Sequence, residues 1–228
     1  MADPRQPRQQ HPKQHPKLAP DPRLRLILIT DGAGDPSRLD LVVRAALRGG
    51  VRCVQIREPR WTARILQREC ERLRPICDEC NALLLVNDRL DVVASGAAHG
   101  AQIGHRSLLP EAARRAVGSE AMLGFSAHSQ DELDLAAPHC DFALLSPVWA
   151  TSSKPGAAFL GVAQAQRLTA RAPLPVAWLG GVARQTLAEL ADVPMLERPF
   201  GVAVRSAIAM ADDPERAARE LLAAWPDY

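Results

Sequence analysis

The stretch ALLLVNDRLDVVASGAAHGAQIG, residues 82–104, decides how this chain folds. Residues 82–86 form an unbroken apolar run, the pattern of a strand covered on both faces, as in a parallel sheet. The run stops at Asn87-Asp88-Arg89, residues 90–96 read as a short helix, and 99–104 read as the next strand. The unit is β–α–β, with a polar triplet where the strand hands over to the helix.

The same alternation extends in both directions. Strands are predicted over 24–30, 51–58, 121–125, 141–145, 174–179 and 200–204. Helices are predicted over 38–50, 62–81 (with a proline inside), 110–118, 129–137, 161–171, 183–191 and 213–225. Eight strand–helix alternations in one domain of the α/β class argue for a single (β/α)8 TIM barrel over residues 23–228. An open doubly wound sheet is the alternative, but no strand is followed by GxGxxG or a P-loop pattern. Residues 1–22 are rich in Pro, Gln, Arg and Lys and almost without apolar groups. Such a segment buries too little surface to offset its ordering entropy, so a disordered tail is expected there.

Composition narrows the function classes. The 228 residues fall in the range of one α/β barrel. Lys and Arg (28) nearly balance Asp and Glu (26), which leaves no nucleic-acid footprint. No apolar run approaches the roughly 20 residues that span a bilayer. The basic N-terminus has no apolar core behind it, so neither a signal peptide nor a membrane partner is expected. The five cysteines sit mostly in apolar or helical segments, which suits reduced thiols of a cytoplasmic protein. Cys77 and Cys80 have CxxC spacing, but no second pair completes a zinc site.

Barrel chemistry sits at the C-terminal ends of the strands. Those positions carry Gln55-Ile-Arg57-Glu58, Asn87-Asp88-Arg89, Gly104-His105-Arg106-Ser107, Ser126-Ala-His128, the stretch from Ser146 to Lys154, Gly180-Gly181 and Arg205-Ser206. Arg57 and Lys154 suit anionic oxygens, and Gln55 and Asn87 can hold a heterocycle by amide hydrogen bonds. Gly180-Gly181 and the small residue before the next short helix suit a phosphate. His105 and His128 are the candidate acid–base groups, since histidine titrates near neutral pH.

Taken together, Gln55-Ile-Arg57-Glu58, Asn87-Asp88-Arg89, Ser126-Ala-His-Ser129, Ser146-Pro147 through Thr151-Ser-Ser153-Lys154, Leu179-Gly180-Gly181-Val182 and Gly201-Val-Ala-Val-Arg205-Ser206 resemble the thiamine phosphate synthase / TenI family. The resemblance covers roughly 24–225. It implies that Gln55 holds a pyrimidine and that Arg57, Asn87, Ser126 and Lys154 hold or flank its diphosphate. It further implies that Asp88 binds Mg2+, that Thr151 and Ser153 face a thiazole, and that Gly181 and Ser206 take the thiazole phosphate. Dimers are frequent in this family, so a homodimer is expected, although no stretch identifies an interface.

The chain departs from the synthase pattern in three places. Pro59 stands where the synthase usually has lysine, Ser107 falls on the second Mg2+ carboxylate, and Gln102-Ile-Gly-His105 replaces His-Leu-Gly-Gln. These departures look like the TenI branch, whose tautomerase works without Mg2+; its catalytic histidine, however, falls on Pro147. The first expectation is a TenI-like protein of thiamine biosynthesis that binds a phosphorylated thiazole, needs no cofactor and isomerises its ligand through His128 or His105. The second is a diverged synthase using Asp88 and Mg2+ to join a hydroxymethylpyrimidine diphosphate to the thiazole phosphate. The third is a non-catalytic binder.

Overall fold

The computed structural model describes residues 19–151, 156 and 158–225. The tail expected over 1–22 lies largely outside these residues, and Ser153 and Lys154 lie wholly outside them. Eight strands, β1 (Leu26–Ile29), β2 (Cys53–Ile56), β3 (Leu83–Asn87), β4 (Gly100–Ile103), β5 (Met122–Ala127), β6 (Phe142–Leu145), β7 (Val176–Leu179) and β8 (Gly201–Val204), pair in sequence order. Every pairing is parallel, and β8 returns to β1 to close the barrel. The predicted fold is the one found.

Side-chain alternation along the strands builds two apolar layers. Ile27, Ile29, Cys53, Leu83, Leu85, Phe142, Leu144, Ala177 and Ala203 fill the barrel interior, while neighbours such as Leu28, Val54, Leu84, Val86, Leu145 and Val202 face the helices. Each fully buried large aliphatic side chain contributes roughly 1.5–3 kcal/mol, so both faces of every strand must be covered. That is why the strands read as continuous apolar runs.

The long helices start where the sequence supplies caps. Asp35 accepts from Ser37 N at the head of α1 (Pro36–Arg48), and Thr62 accepts from Ile65 N at the head of α2 (Ala63–Glu79). The remaining helices are α3 (Leu90–Ala94), α4 (Pro110–Val117), α5 (Gln130–Ala136), α6 (Val162–Arg171), α7 (Arg184–Ala188), α8 (Ser206–Ala209) and α9 (Pro214–Ala224). Two expectations need correction. The helix predicted over 183–191 ends at Ala188 and continues as 3-10 turns, Glu189–Asp192 and Met195–Glu197. The first strand begins at Leu26, because Pro22–Arg25 forms a 3-10 turn that buries Leu24 in the floor of the barrel.

Trp149 and Trp178 pack outside the barrel wall. Their rings meet edge-on at 5.8 Å, and the Trp178 indole donates to Thr169 Oγ1 of α6 at 2.8 Å. Cys53, Cys70, Cys77 and Cys140 are buried thiols and Cys80 is half-buried.

Candidate active site

A cavity of about 610 Å³ opens at the C-terminal mouth of the barrel. Its wall contains Gln55, Arg57, Asn87, Ser126, His128, Thr151, Gly180, Gly181, Arg205 and Ser206, all residues singled out from the sequence. Asp88 is exposed and is not part of this wall, but it accepts a hydrogen bond from Asn87, which is. The alternation that fills the interior below places polar side chains inward here, and register sets Asn87 beside Gln102 and Gln102 beside Gly124.

The polar groups on one side form a chain whose direction is fixed at one end. A carboxylate only accepts hydrogen bonds. Asn87 therefore presents Nδ2 to Asp88 Oδ2, at 2.7 Å, and its Oδ1 is left to accept from Gln55 Nε2 at 3.1 Å. Gln55 Oε1 is then the free end: it is buried and has no protein partner among the described residues. An unmet buried acceptor costs about 1–3 kcal/mol. A ligand N–H or O–H arriving there relieves that cost.

Asp88 adopts a left-handed backbone conformation (φ 63°) at the end of β3. Its other oxygen, Oδ1, accepts a short hydrogen bond from Ser107 Oγ, which in turn accepts from Gly104 N at 2.8 Å. The serine that replaces a family carboxylate thus lies against the remaining one. Among the described residues no three His, Cys, Asp or Glu side chains gather to hold a metal.

Thr30 and Glu58 hold the mouth of β1 and β2 in place. Thr30 Oγ1 donates to buried Glu58 Oε1 at 2.8 Å and accepts from Arg57 N at 2.9 Å, while Glu58 Oε2 takes Gly34 N at 2.9 Å. This clamp fixes the backbone from which Arg57 reaches the cavity.

Across the cavity, Gly180 and Gly181 have φ of 97° and 70°. A Cβ on Gly181 would lie 2.4 Å from Ala150 O, so only glycine lets β7 run into the loop after β6. Ser206 and Ala207 begin α8, and the first N–H groups of a helix have no intrahelical partner. Donors and small residues therefore meet at this end of the cavity.

The two histidines differ in position. His128 lines the cavity, whereas His105 stacks on it with ring centroids 5.2 Å apart and planes 16° from parallel. His128 Nδ1 makes a short contact with Ser146 O. A carbonyl cannot donate, so Nδ1 is the donor in this contact. Glu132 ties the pair together, accepting from His128 N at 2.6 Å and lying 3.4 Å from His105 Nε2. The position matched to the tautomerase histidine, Pro147, also lines the cavity and brings no proton carrier.

Sequence reasoning gave no site role to Gln102, Thr30 or Glu58. Gln102 is 2 % exposed, lines the cavity and donates through Nε2 to Ser126 Oγ at 3.0 Å. The available signal was a lone amide in the otherwise apolar strand GAQI, one register step from Asn87.

Fold and site together define a (β/α)8 barrel whose polar mouth suits a heterocycle and phosphate groups. The family model described as thiamine monophosphate synthase matches residues 26–208. The thiamine-phosphate synthase of Laribacter hongkongensis is 35 % identical over 199 residues, covering 87 % of this chain and 92 % of the relative. That of Chlorobium luteolum is 36 % identical over 201 residues, covering 87 % and 91 %. The solved structure of thiamine phosphate pyrophosphorylase from Pyrococcus furiosus aligns with a TM-score of 0.78 at 27 % identity, covering 89 % of this chain and 95 % of that one. The chain belongs to the thiamine monophosphate synthase family.

Proposed function

We propose that this protein is a thiamine phosphate synthase, joining hydroxymethylpyrimidine diphosphate to a thiazole phosphate and releasing pyrophosphate. The observation that carries the reading is the directed chain Asp88–Asn87–Gln55. It leaves Gln55 Oε1 as the acceptor for a pyrimidine amino group, in a wall that also contains Arg57 and Ser126. The relatives named as synthases support this reading over the TenI-like one, and Pro147 removes the tautomerase's usual proton carrier.

In the reaction the bond from the methylene carbon to the diphosphate oxygen breaks, and its electron pair leaves with pyrophosphate. The thiazole ring nitrogen then forms the new bond to that carbon with its own lone pair. Gln55 orients the pyrimidine, Arg57 and the Ser126 hydroxyl meet the diphosphate, and the Gly181–Ser206 end takes the thiazole phosphate. Aligning the two partners in one cavity replaces a chance encounter by a positioned one.

Mg2+ fits the donor set as an ion that keeps several waters and takes only one or two carboxylates together with substrate phosphate oxygens. Asp88 and the Ser107 hydroxyl are the residues that would hold it, and when bound it neutralises charge on the leaving pyrophosphate. The test is incubation with both substrates in Mg2+ and then in chelator. Mg2+-dependent thiamine phosphate supports the reading. Isomerisation of a thiazole carboxylate phosphate alone supports the TenI-like one, and thermal stabilisation by thiazole phosphate with no product supports a binder.

A further inference from the structure

The Gly180-Gly181 turn of the cavity wall is enclosed by contacts that run outside the cavity. Trp149 N donates to Gly180 O at 3.1 Å, and the Ala150 carbonyl that follows passes against Gly181. On the far side of the turn the Thr186 hydroxyl accepts from Ala183 N at 2.9 Å and donates between Ala183 O and Gly181 O, at 3.0 and 3.2 Å. Thr186 belongs to α7, and the residue after that helix, Glu189, accepts from Trp149 Nε1 at 3.1 Å. The circuit therefore closes, from the turn through α7 to Glu189, across to Trp149 and back to the turn. Its last link joins residues 40 apart in sequence through side chains, and neither of them is in the cavity wall.

Trp149 has little freedom of its own. Its side chain is buried and meets Trp178 edge-on, and the Trp178 indole is itself held by Thr169. An indole N–H only donates, and a buried donor without an acceptor is unfavourable, so the ring stays where Glu189 meets it. Pro147, Ala150 and Thr151, on either side of Trp149 in the chain, line the cavity. Fixing the ring outside the wall thus fixes how these residues stand against Gly181. We infer that Glu189 is a positioning residue: acting through Trp149, it sets the spacing between Ala150-Thr151 and Gly181 that receives the phosphorylated thiazole. The inference rests on the synthase reading, since it takes that end of the cavity as the thiazole-phosphate site.

The test compares wild type with Glu189→Leu, Glu189→Gln, Trp149→Phe and the double variant Trp149→Phe/Glu189→Leu, with thiazole phosphate and hydroxymethylpyrimidine diphosphate titrated separately by calorimetry. Position 189 is exposed, so its variants keep the fold, which urea unfolding checks. Glu189→Leu is expected to weaken thiazole phosphate binding about five- to tenfold, the worth of one hydrogen bond, and to leave pyrimidine diphosphate binding unchanged. Glutamine retains an acceptor for the indole and is expected to restore the affinity. Trp149→Phe removes the donor and is expected to match Glu189→Leu, and the double variant to bind no worse than either, because both act through one bond. Equal losses for the two ligands, no loss for either, or failure of glutamine to restore binding overturns the inference. Thiamine phosphate formation by wild type in the same preparation separates the two failures. Product alongside such a result rejects the role of Glu189 alone. A selective, glutamine-restored loss without product upholds that role and rejects the synthase reading, and absence of both product and binding rejects the two together.

Discussion

Asn87 donates to Asp88 at 2.7 Å through the same amide group that accepts from Gln55 at 3.1 Å. One carboxylate at the end of β3 therefore sets which way round two amides lie, and so which atom of Gln55 is left without a partner among the described residues. Asp88→Asn removes that constraint, because an amide in place of the carboxylate can donate or accept. The expected result is a 10- to 100-fold fall in kcat/KM, about the worth of a hydrogen bond to a charged group. Steady-state kinetics varying the pyrimidine substrate, with urea unfolding to show an intact fold, checks this.

Gly124 is required by contact. A Cβ there would lie 2.1 Å from Gln102 Oε1 and 2.4 Å from the Phe142 ring. Gly124→Ala is expected to lower stability by about 1–3 kcal/mol, the usual effect of overpacking a filled interior. The shift of the urea midpoint at constant slope measures it.

The end of the cavity proposed for the thiazole phosphate can be closed separately. Ser206 begins α8 on the wall shared with Gly181. Ser206→Leu is expected to raise KM for thiazole phosphate tenfold or more, since an apolar branch displaces an anion from the backbone donors. KM for the pyrimidine diphosphate should stay near wild type; equal rises in both would place Ser206 outside the thiazole-phosphate site.

His99 gives the barrel floor a pH dependence. Its Nδ1 accepts from Leu84 N at 3.0 Å and its Nε2 lies 2.8 Å from Asp78 Oδ1. Burial, reinforced by Arg74, lowers its pKa, and Asp78 opposes this. The unfolded chain therefore binds a proton more readily than the folded one, and stability declines as pH falls below about 6.5, the value for a free histidine. Urea midpoints from pH 8 to pH 5 should show a loss in wild type that is smaller in His99→Asn.

The thiols divide by accessibility. Burial pushes Cys70, Cys77 and Cys140 up to about 12 and raises Cys53 as well, whereas Cys80 is half-buried. A thiol reagent at pH 8 should label Cys80 alone in the native protein and all five cysteines after unfolding.

Much of this was legible in the sequence because barrel strands announce themselves. Runs such as ALLLV and CDFALL are apolar on both faces, and the polar residues that end them share one address. Gly180-Gly181 reads from the sequence as a phosphate site, and what the structure shows there is positive φ and a close approach that leaves no room for a side chain. What stayed hidden depended on direction within the strand. Gln102 reads as an ordinary strand residue until register puts it beside Asn87, and Thr30 and Glu58 look like loop polarity until the β1–β2 clamp closes. Ser107 read as a lost carboxylate, and only the fold brings its hydroxyl onto Asp88. The two tryptophans sit close to the mouth in sequence, but strand alternation turns Trp178 toward the helices.

The most direct test of the synthase claim is a phosphorus NMR time course on the wild-type protein with both substrates and Mg2+. Appearance of thiamine phosphate and pyrophosphate in equal amounts, stopped by chelator, is the result this account predicts. Unchanged substrates, under conditions where thiazole phosphate still raises the melting temperature, would contradict it.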